Sequence, residues 1–173
     1  ISFDLENWVH RQALPQAKIL SRLGKSGTND ANMLSILAEN GLIADFPSQV
    51  EAEADAIPLN IEQSVIDQRI DFRNKTVFTI DPVDAKDFDD ALSIEELENG
   101  HLRLGVHIAD VTHYVQPGSA LDEEAHKRAT SIYLVDRVIP MLPERLSNGV
   151  CSLRPKEDKL CYSCFMEVNH KAE

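Results

Sequence analysis

The chain has 173 residues, is 43 % hydrophobic and carries a formal charge of −12. That length suits one ordinary domain or two small ones, and the apolar share excludes a disordered tail. No apolar run reaches the ~18 residues of a membrane span, and Ile1-Ser2-Phe3-Asp4-Leu5-Glu6 lacks the basic and apolar regions of a secretory signal.

There is no initiator Met, so the chain is expected to come from a longer one. The odd cysteine count, Cys151, Cys161 and Cys164, argues against a disulfide framework and for a reducing, cytoplasmic setting. The acidic balance is a poor footprint for a nucleic-acid binder. Residues 1–76 hold 11 acids and 7 bases, and residues 77–173 hold 18 and 10. Ser26–Gln68 carries eight acids and no Lys or Arg, so it is not expected to contact phosphates.

In chain order, residues 17–23 read as a strand ending at Gly24. Asp30 is expected to cap a helix through Met33, Leu34 and Leu37, closed by Gly41. Pro47 suits the first turn of a second helix through Val50, Ala54 and Ile57, ended by Pro58. A third helix is expected over Ile61–Ile70. From Thr76 the texture changes: Thr76–Ile80 is β-branched and aromatic, an expected strand. Asp81–Asp90 reads as an acidic loop, and Ala91–Leu97 as a strand. Asn99-Gly100 predicts a type I′ hairpin turn into a partner strand, Leu102–Val111. Ser119 is expected to cap a helix over Leu121–Ala129. Strands are expected at Ser131–Val135 and Asp158–Val168.

The acidic loop places Asp81, Asp84, Asp87, Asp89 and Asp90 within ten residues. Two carboxylates about 4 Å apart repel by roughly 4 kcal/mol at an effective dielectric of 20. A fold that gathers several needs a cation, a shared proton or a wide solvated spread. A solvated surface loop is the ordinary reading of such a run. Here Phe88, Ala91 and Leu92 tether it to a core, and only Lys86 offers a countercharge. Hard oxygen donors suit Mg²⁺, Mn²⁺ or Ca²⁺. A calcium-binding EF-hand loop counted from Asp87 fails, because Leu92 stands where Gly is needed. A haloacid-type phosphotransferase fails because Val83 stands two residues after Asp81. Spacing alone leaves nuclease, phosphatase and nucleotidyltransferase open, all served by metal-activated water and charge neutralisation at phosphate.

Thr79-Ile80-Asp81 followed by Asp84-Ala85-Lys86-Asp87-Phe88-Asp89-Asp90-Ala91 resembles the active-site motif of the ribonuclease II/R (RNB) family. Gly105–Val115, Gly118–Asp122, Ser131–Leu134, Val138–Pro143 and Leu146–Leu153 resemble its following stretches, in the same order. The texture of Asp84-Ala85 and Phe88 leans towards ribonuclease R. More weakly, Leu23–Asp30 and Phe46-Pro47 resemble the end of the family's second cold-shock domain and the linker after it. The resemblance implies an α+β chain. Residues 1–27 would be a truncated OB-type β tail, 28–75 a helical linker, and 76–173 the incomplete N-terminal part of a mixed sheet-and-helix catalytic domain. It implies a Mg²⁺-dependent 3′→5′ exoribonuclease, with Mn²⁺ as a substitute, that processively degrades single-stranded RNA to nucleoside 5′-monophosphates. Asp81 and Asp90 would ligate the metal, Asp87 would support it or its water, and loss of Asp89 would hurt catalysis most. Tyr133 would hold the 3′-terminal nucleotide. The family's catalytic arginine, the rest of its RNA channel and its C-terminal OB-type domain fall outside these residues. The chain alone is therefore expected to be inactive. No membrane and no small-molecule cofactor are implied. The alternative is a non-catalytic RNA-binding or scaffold protein of the same fold.

Other residues receive ordinary readings. His107 and His113 would share one side of a continuous strand, as core or surface side chains. Cys161 and Cys164 would face opposite sides of a strand as packing residues. Arg137, Arg145 and Arg154 are read as surface or ion-pair arginines. Asp110 would either orient a neighbour of the acidic loop or make a structural hydrogen bond.

Overall fold

The computed structural model describes residues 1–6 and 14–171. Positions 7–13 of the expected OB-type tail, and 172–173 of the expected catalytic part, lie outside the described residues. The chain forms two compact units, Ile1–Phe46 and Pro47–Glu173, divided within the segment expected to be a linker.

In the first unit, β1 (Ser2–Leu5) pairs antiparallel with β2 (Ala17–Ser21). Helix α1 (Asn29–Glu39) follows. Its N-cap is Thr28, not Asp30: the Thr28 hydroxyl accepts from Ala31 N–H at 3.2 Å, and Asp30 lies in the first turn. There its charge favours the positive end of the helix dipole. Gly41 follows the helix at φ 69°, as expected of a left-handed terminator.

The second unit is built on a four-stranded antiparallel sheet in the order β3-β4-β5-β8. The strands are β3 (Val77–Phe78), β4 (Asp90–Glu96), β5 (Leu102–Ala109) and β8 (Cys161–Val168). Alternation gives the sheet two unlike faces. Ala91, Ser93, Gly105, His107, Ala109 and Phe165 lie on one face, and the Phe72 ring covers it, 5.4 Å from His107 and 5.3 Å from Phe165 between centroids. Buried His107 bonds Ser163 Oγ at 2.8 Å and Ser93 Oγ at 2.9 Å, and burial pushes its imidazole below the usual range. The other face carries Leu92, Ile94, Ile108, Tyr162 and Met166, with Ile94, Ile108, Tyr162 and Met166 exposed.

Helices and short strands fill the rest: α2 (Ser48–Ala56), α3 (Gln63–Ile66), α4 (Val111–Tyr114), α5 (Ala120–Arg128), β6 (Ile132–Tyr133), β7 (Val138–Ile139) and a wide helical turn, α6 (Arg145–Val150). Buried Val50 and Ala54 of α2, Leu121 of α5, and Leu146 and Val150 of α6 supply apolar core. Glu53 of α2 accepts from Leu121 N–H at 3.3 Å, placing a carboxylate at the α5 N-terminus. Ser119 caps α5 as expected, accepting from Asp122 N–H at 3.2 Å.

Several expected elements differ. The third helix shrinks to α3 because Asn60 gives way to Glu62 as its cap and Asp67–Arg69 only turns. The strand over Thr76–Ile80 keeps two residues, limited by its pairing to Ser93 and Leu92. The hairpin turn at Asn99-Gly100 is not type I′. Only Gly100 is left-handed, at φ 77°, with Gly100 N–H bonded to Leu97 O and Leu97 N–H to His101 O. That is a type I turn with a glycine bulge, allowed by the longer Leu97–His101 loop. The partner strand stops at Ala109, and Val111 opens α4, so His107 and His113 do not share a strand. Asp110 terminates it: its buried carboxylate accepts from Thr112 Oγ1 at 2.7 Å and pairs with Arg69 at 2.7 Å. Burial works to raise that carboxyl, but the Thr112 hydroxyl and Arg69 outweigh it and hold it below the usual range. Its role is structural. Cys161 and Cys164 do face opposite sides of β8. The described thiols are free, and burial pushes that of Cys151 up to about 12.

Gly105 is fixed by close approach. A Cβ there would lie 2.4 Å from Ser93 Oγ and 2.8 Å from His107 Nε2. Both neighbours are buried and bonded to each other. Gly105→Ala should therefore lower the unfolding free energy by about 1–3 kcal/mol, read as a lower midpoint in denaturant titration.

Candidate metal and RNA site

The chain leaves β3 at Phe78, runs through the acidic loop and enters β4 at Asp90. A turn closes Pro82–Ala85, with Ala85 N–H bonded to Pro82 O at 3.0 Å. Beyond it the backbone is tied down residue by residue. The Ser152 hydroxyl donates to Lys86 O at 2.9 Å and accepts from Phe88 N–H at 3.1 Å. Leu153 N–H reaches Phe88 O at 2.8 Å, and Ala109 N–H reaches Asp89 O at 2.9 Å. Asp90 then pairs with Ile108 as the first residue of β4.

This anchoring gathers the carboxylates electrostatically. The Asp89 carboxyl sits above its usual range, first because protein atoms desolvate it although its residue is exposed, then because Asp87, Asp90 and Asp81 repel its charge. The other three aspartates singled out in the sequence therefore all act on Asp89. Among the described residues none of Asp81, Asp87, Asp89 and Asp90 is in an ion pair. Nor is any group of three or more His, Cys, Asp or Glu among the described residues placed to hold a metal ion. By donor chemistry alone, carboxylate oxygens without a cationic partner are what a hard divalent cation takes, with water or phosphate completing its shell.

Tyr133 joins the cluster from a distant stretch. The β6–β7 hairpin pairs Ile132 with buried Ile139, and Tyr133 donates its hydroxyl to Asp87 Oδ2 at 3.2 Å. Its phenol is raised by partial burial, then by the Asp87 charge. The ring itself is 66 % exposed, so its face is open to a stacking partner. Asp84 is exposed and contributes nothing resolvable to Asp89. Lys86 makes no ion pair among the described residues. Of the arginines, Arg145 donates to Ile57 O at 2.7 Å and Arg137 pairs with Asp136 at 2.8 Å. Sequence reasoning gave Ser152 no role. Its only signal was its place in a matched stretch, Leu146–Leu153, where a small polar residue sits among apolar ones.

The sequence profile of the RNB domain matches residues 69–173. The chain belongs to the RNB family. It is 47 % identical over 154 residues to ribonuclease R 1 of Lactococcus lactis, covering 89 % of this chain and 19 % of that protein. It is 50 % identical over 157 residues to ribonuclease R of Thermotoga maritima, covering 90 % and 22 %. Among solved structures, Mycoplasma genitalium RNase R in complex with double-stranded RNA superposes with a TM-score of 0.87 at 30 % identity, over 98 % of this chain and 30 % of that one. The chain thus spans about a fifth of the length of these curated ribonuclease R relatives. No helix among the described residues is long and apolar enough to cross a membrane.

The mutual repulsion in the loop has a thermodynamic consequence. Asp89→Asn removes one charge from an unneutralised cluster while keeping its shape. In buffer freed of divalent ions by EDTA the variant should melt at a higher temperature than the wild type. Added Mg²⁺ should stabilise the wild type more than the variant. Differential scanning calorimetry of both proteins with and without Mg²⁺ checks this.

Proposed function

We propose that the protein to which this chain belongs is a hydrolytic exoribonuclease that removes nucleoside 5′-monophosphates from the 3′ end of single-stranded RNA. The observation that carries the reading is the Tyr133 hydroxyl on Asp87, beside the charges of Asp81, Asp87 and Asp90 acting on Asp89, in an RNB chain whose relatives are ribonucleases. The solved RNase R bound to RNA supports RNA as the substrate.

In this reading Asp81 and Asp90 hold a Mg²⁺ ion, for which Mn²⁺ can substitute, and Asp87 and Asp89 complete its surroundings. When bound, the ion activates water and neutralises charge at the scissile phosphate. The chain's own groups do the rest. Tyr133 stacks its open ring on the terminal base while its hydroxyl stays on Asp87. That contact ties nucleotide position to the carboxylate loop, so the last phosphodiester lies beside it. Asp89 is the carboxylate assigned to the attacking water, and its loss costs catalysis most. Recognition through stacking and backbone leaves base identity largely unread. The basic groups that neutralise an RNA backbone are few here, which agrees with a channel completed by other parts of a longer chain. The protein is expected to work in the cytoplasm.

A non-catalytic RNA-binding protein of the same fold is the second reading. It is disfavoured because no member of the aspartate cluster is replaced.

The test uses full-length protein and 5′-labelled single-stranded RNA. The wild type should give a stepwise 3′ ladder that needs Mg²⁺ and disappears in EDTA. Asp89→Asn should slow it by on the order of 10²–10³-fold or more while RNA binding stays nearly intact. The 173 residues alone should give no ladder. Intact but bound RNA with the wild type would favour the non-catalytic reading.

A further inference from the structure

We infer that Ser152 is a positioning residue that sets the spacing of the carboxylates for the metal ion; the inference rests on the reading of Asp81–Asp90 as a metal site. Among the described residues Leu121, Leu146 and Ser152 are the largest fully buried side chains, and of these Ser152 alone is polar. A buried hydroxyl must be bonded or it destabilises the fold. This one spends its donor on Lys86 O, at 2.9 Å, and its acceptor on Phe88 N–H, at 3.1 Å. Both partners flank Asp87. The next residue, Leu153, takes Phe88 O at 2.8 Å. Both backbone groups of Phe88 are thus held by 152–153, and the two carboxylates on either side of it, Asp87 and Asp89, are held through them.

The support behind Ser152 is stiff. It follows α6, whose wide turn bonds Cys151 N–H to Leu146 O at 3.0 Å and bends at Gly149. Leu146 and Val150 anchor that turn in the core. Widened turns of this kind recur beside functional sites. The clamp faces a specific load. Asp81, Asp87, Asp89 and Asp90 are like charges within ten residues, and a loop lacking fixed backbone partners would relax by spreading them. Ser152 opposes that relaxation at 86–88, inside the 79–89 loop that belongs to no strand or helix. The arrangement parallels outer partners that orient metal ligands elsewhere, whose removal costs roughly 10–100-fold in metal affinity.

The experiment measures Mn²⁺ binding to the full-length protein by electron paramagnetic resonance, beside the Mg²⁺ dependence of RNA hydrolysis. Ser152→Ala, Ser152→Cys and Val50→Ala are compared with the wild type. Ser152→Cys keeps the volume with a weak hydrogen-bonding group, and guards against a variant that fails to fold. Val50→Ala opens the core at α2, outside the turn that carries Ser152, and controls for lost stability. The expected result is Mn²⁺ affinity lower by about 10–100-fold in Ser152→Ala and reduced in Ser152→Cys. Val50→Ala should stay at the wild-type value despite a lower melting temperature. Hydrolysis by the serine variants should need more Mg²⁺ and recover towards the wild-type rate at saturation. Wild-type Mn²⁺ affinity in both serine variants would overturn the inference, as would an equal loss in Val50→Ala. Failure of the wild-type protein to cut RNA would instead defeat the proposed function, and the Mn²⁺ comparison would still decide the role of Ser152.

Discussion

The second unit is organised around one electrostatic problem, the confinement of four like charges within ten residues. Desolvation, with the charges of Asp87, Asp90 and Asp81 added to it, lifts Asp89 above the usual carboxylate range. Nothing cationic among the described residues relieves them. Backbone hydrogen bonding is what keeps them together. Ala109 at the end of β5 fixes Asp89, the first pair of β4 fixes Asp90, and Ser152 with Leu153 fixes Lys86 and Phe88. A fold that stabilises such a cluster is spending conformational stability on a site, as functional centres commonly do.

The sheet serves this purpose through its asymmetry. Its closed face is packed with small residues around His107, and Gly105 has no room for a methyl group because Ser93 and His107 already meet there. That tight face fixes β4 against β5, and hence the point at which Asp89 and Asp90 leave the loop. The open face, with Ile94, Ile108 and Tyr162 exposed, starts at Asp90 itself. Tyr133 reaches the same place from a separate two-stranded hairpin. One centre thus draws on stretches 46 residues apart in sequence.

Much of this was legible in the sequence wherever a local rule governs. The β4–β5 hairpin, the Ser119 cap and the Gly41 terminator follow from periodicity and turn chemistry. So does the opposite facing of Cys161 and Cys164. The carboxylate cluster stands out by composition, and the collinear stretches beyond it carry the RNB resemblance. Misreadings occur where tertiary contacts decide. Asn99-Gly100 has the letters of a two-residue turn, yet pairing ends at Glu96 and Leu102 and leaves room for a bulged one. The strand through Val111 reads as continuous, but the Arg69–Asp110 ion pair, 41 residues apart, ends it. Ser152 was invisible as a clamp because neither its burial nor its partners 64 and 66 residues away leave a local trace.

The central claim is that hydrolysis of the terminal phosphodiester happens at the Asp81–Asp90 loop through a divalent ion. The most direct measurement places a single phosphorothioate at the last linkage of a short single-stranded RNA and follows removal of its 3′ nucleotide by the full-length protein. Sulfur binds Mg²⁺ poorly and softer Mn²⁺ better. The account predicts that the substitution slows the step in Mg²⁺ and that Mn²⁺ restores it, while Asp89→Asn loses the step with either ion. Equal rates for the oxygen and sulfur substrates in Mg²⁺, or full activity of Asp89→Asn, would contradict it.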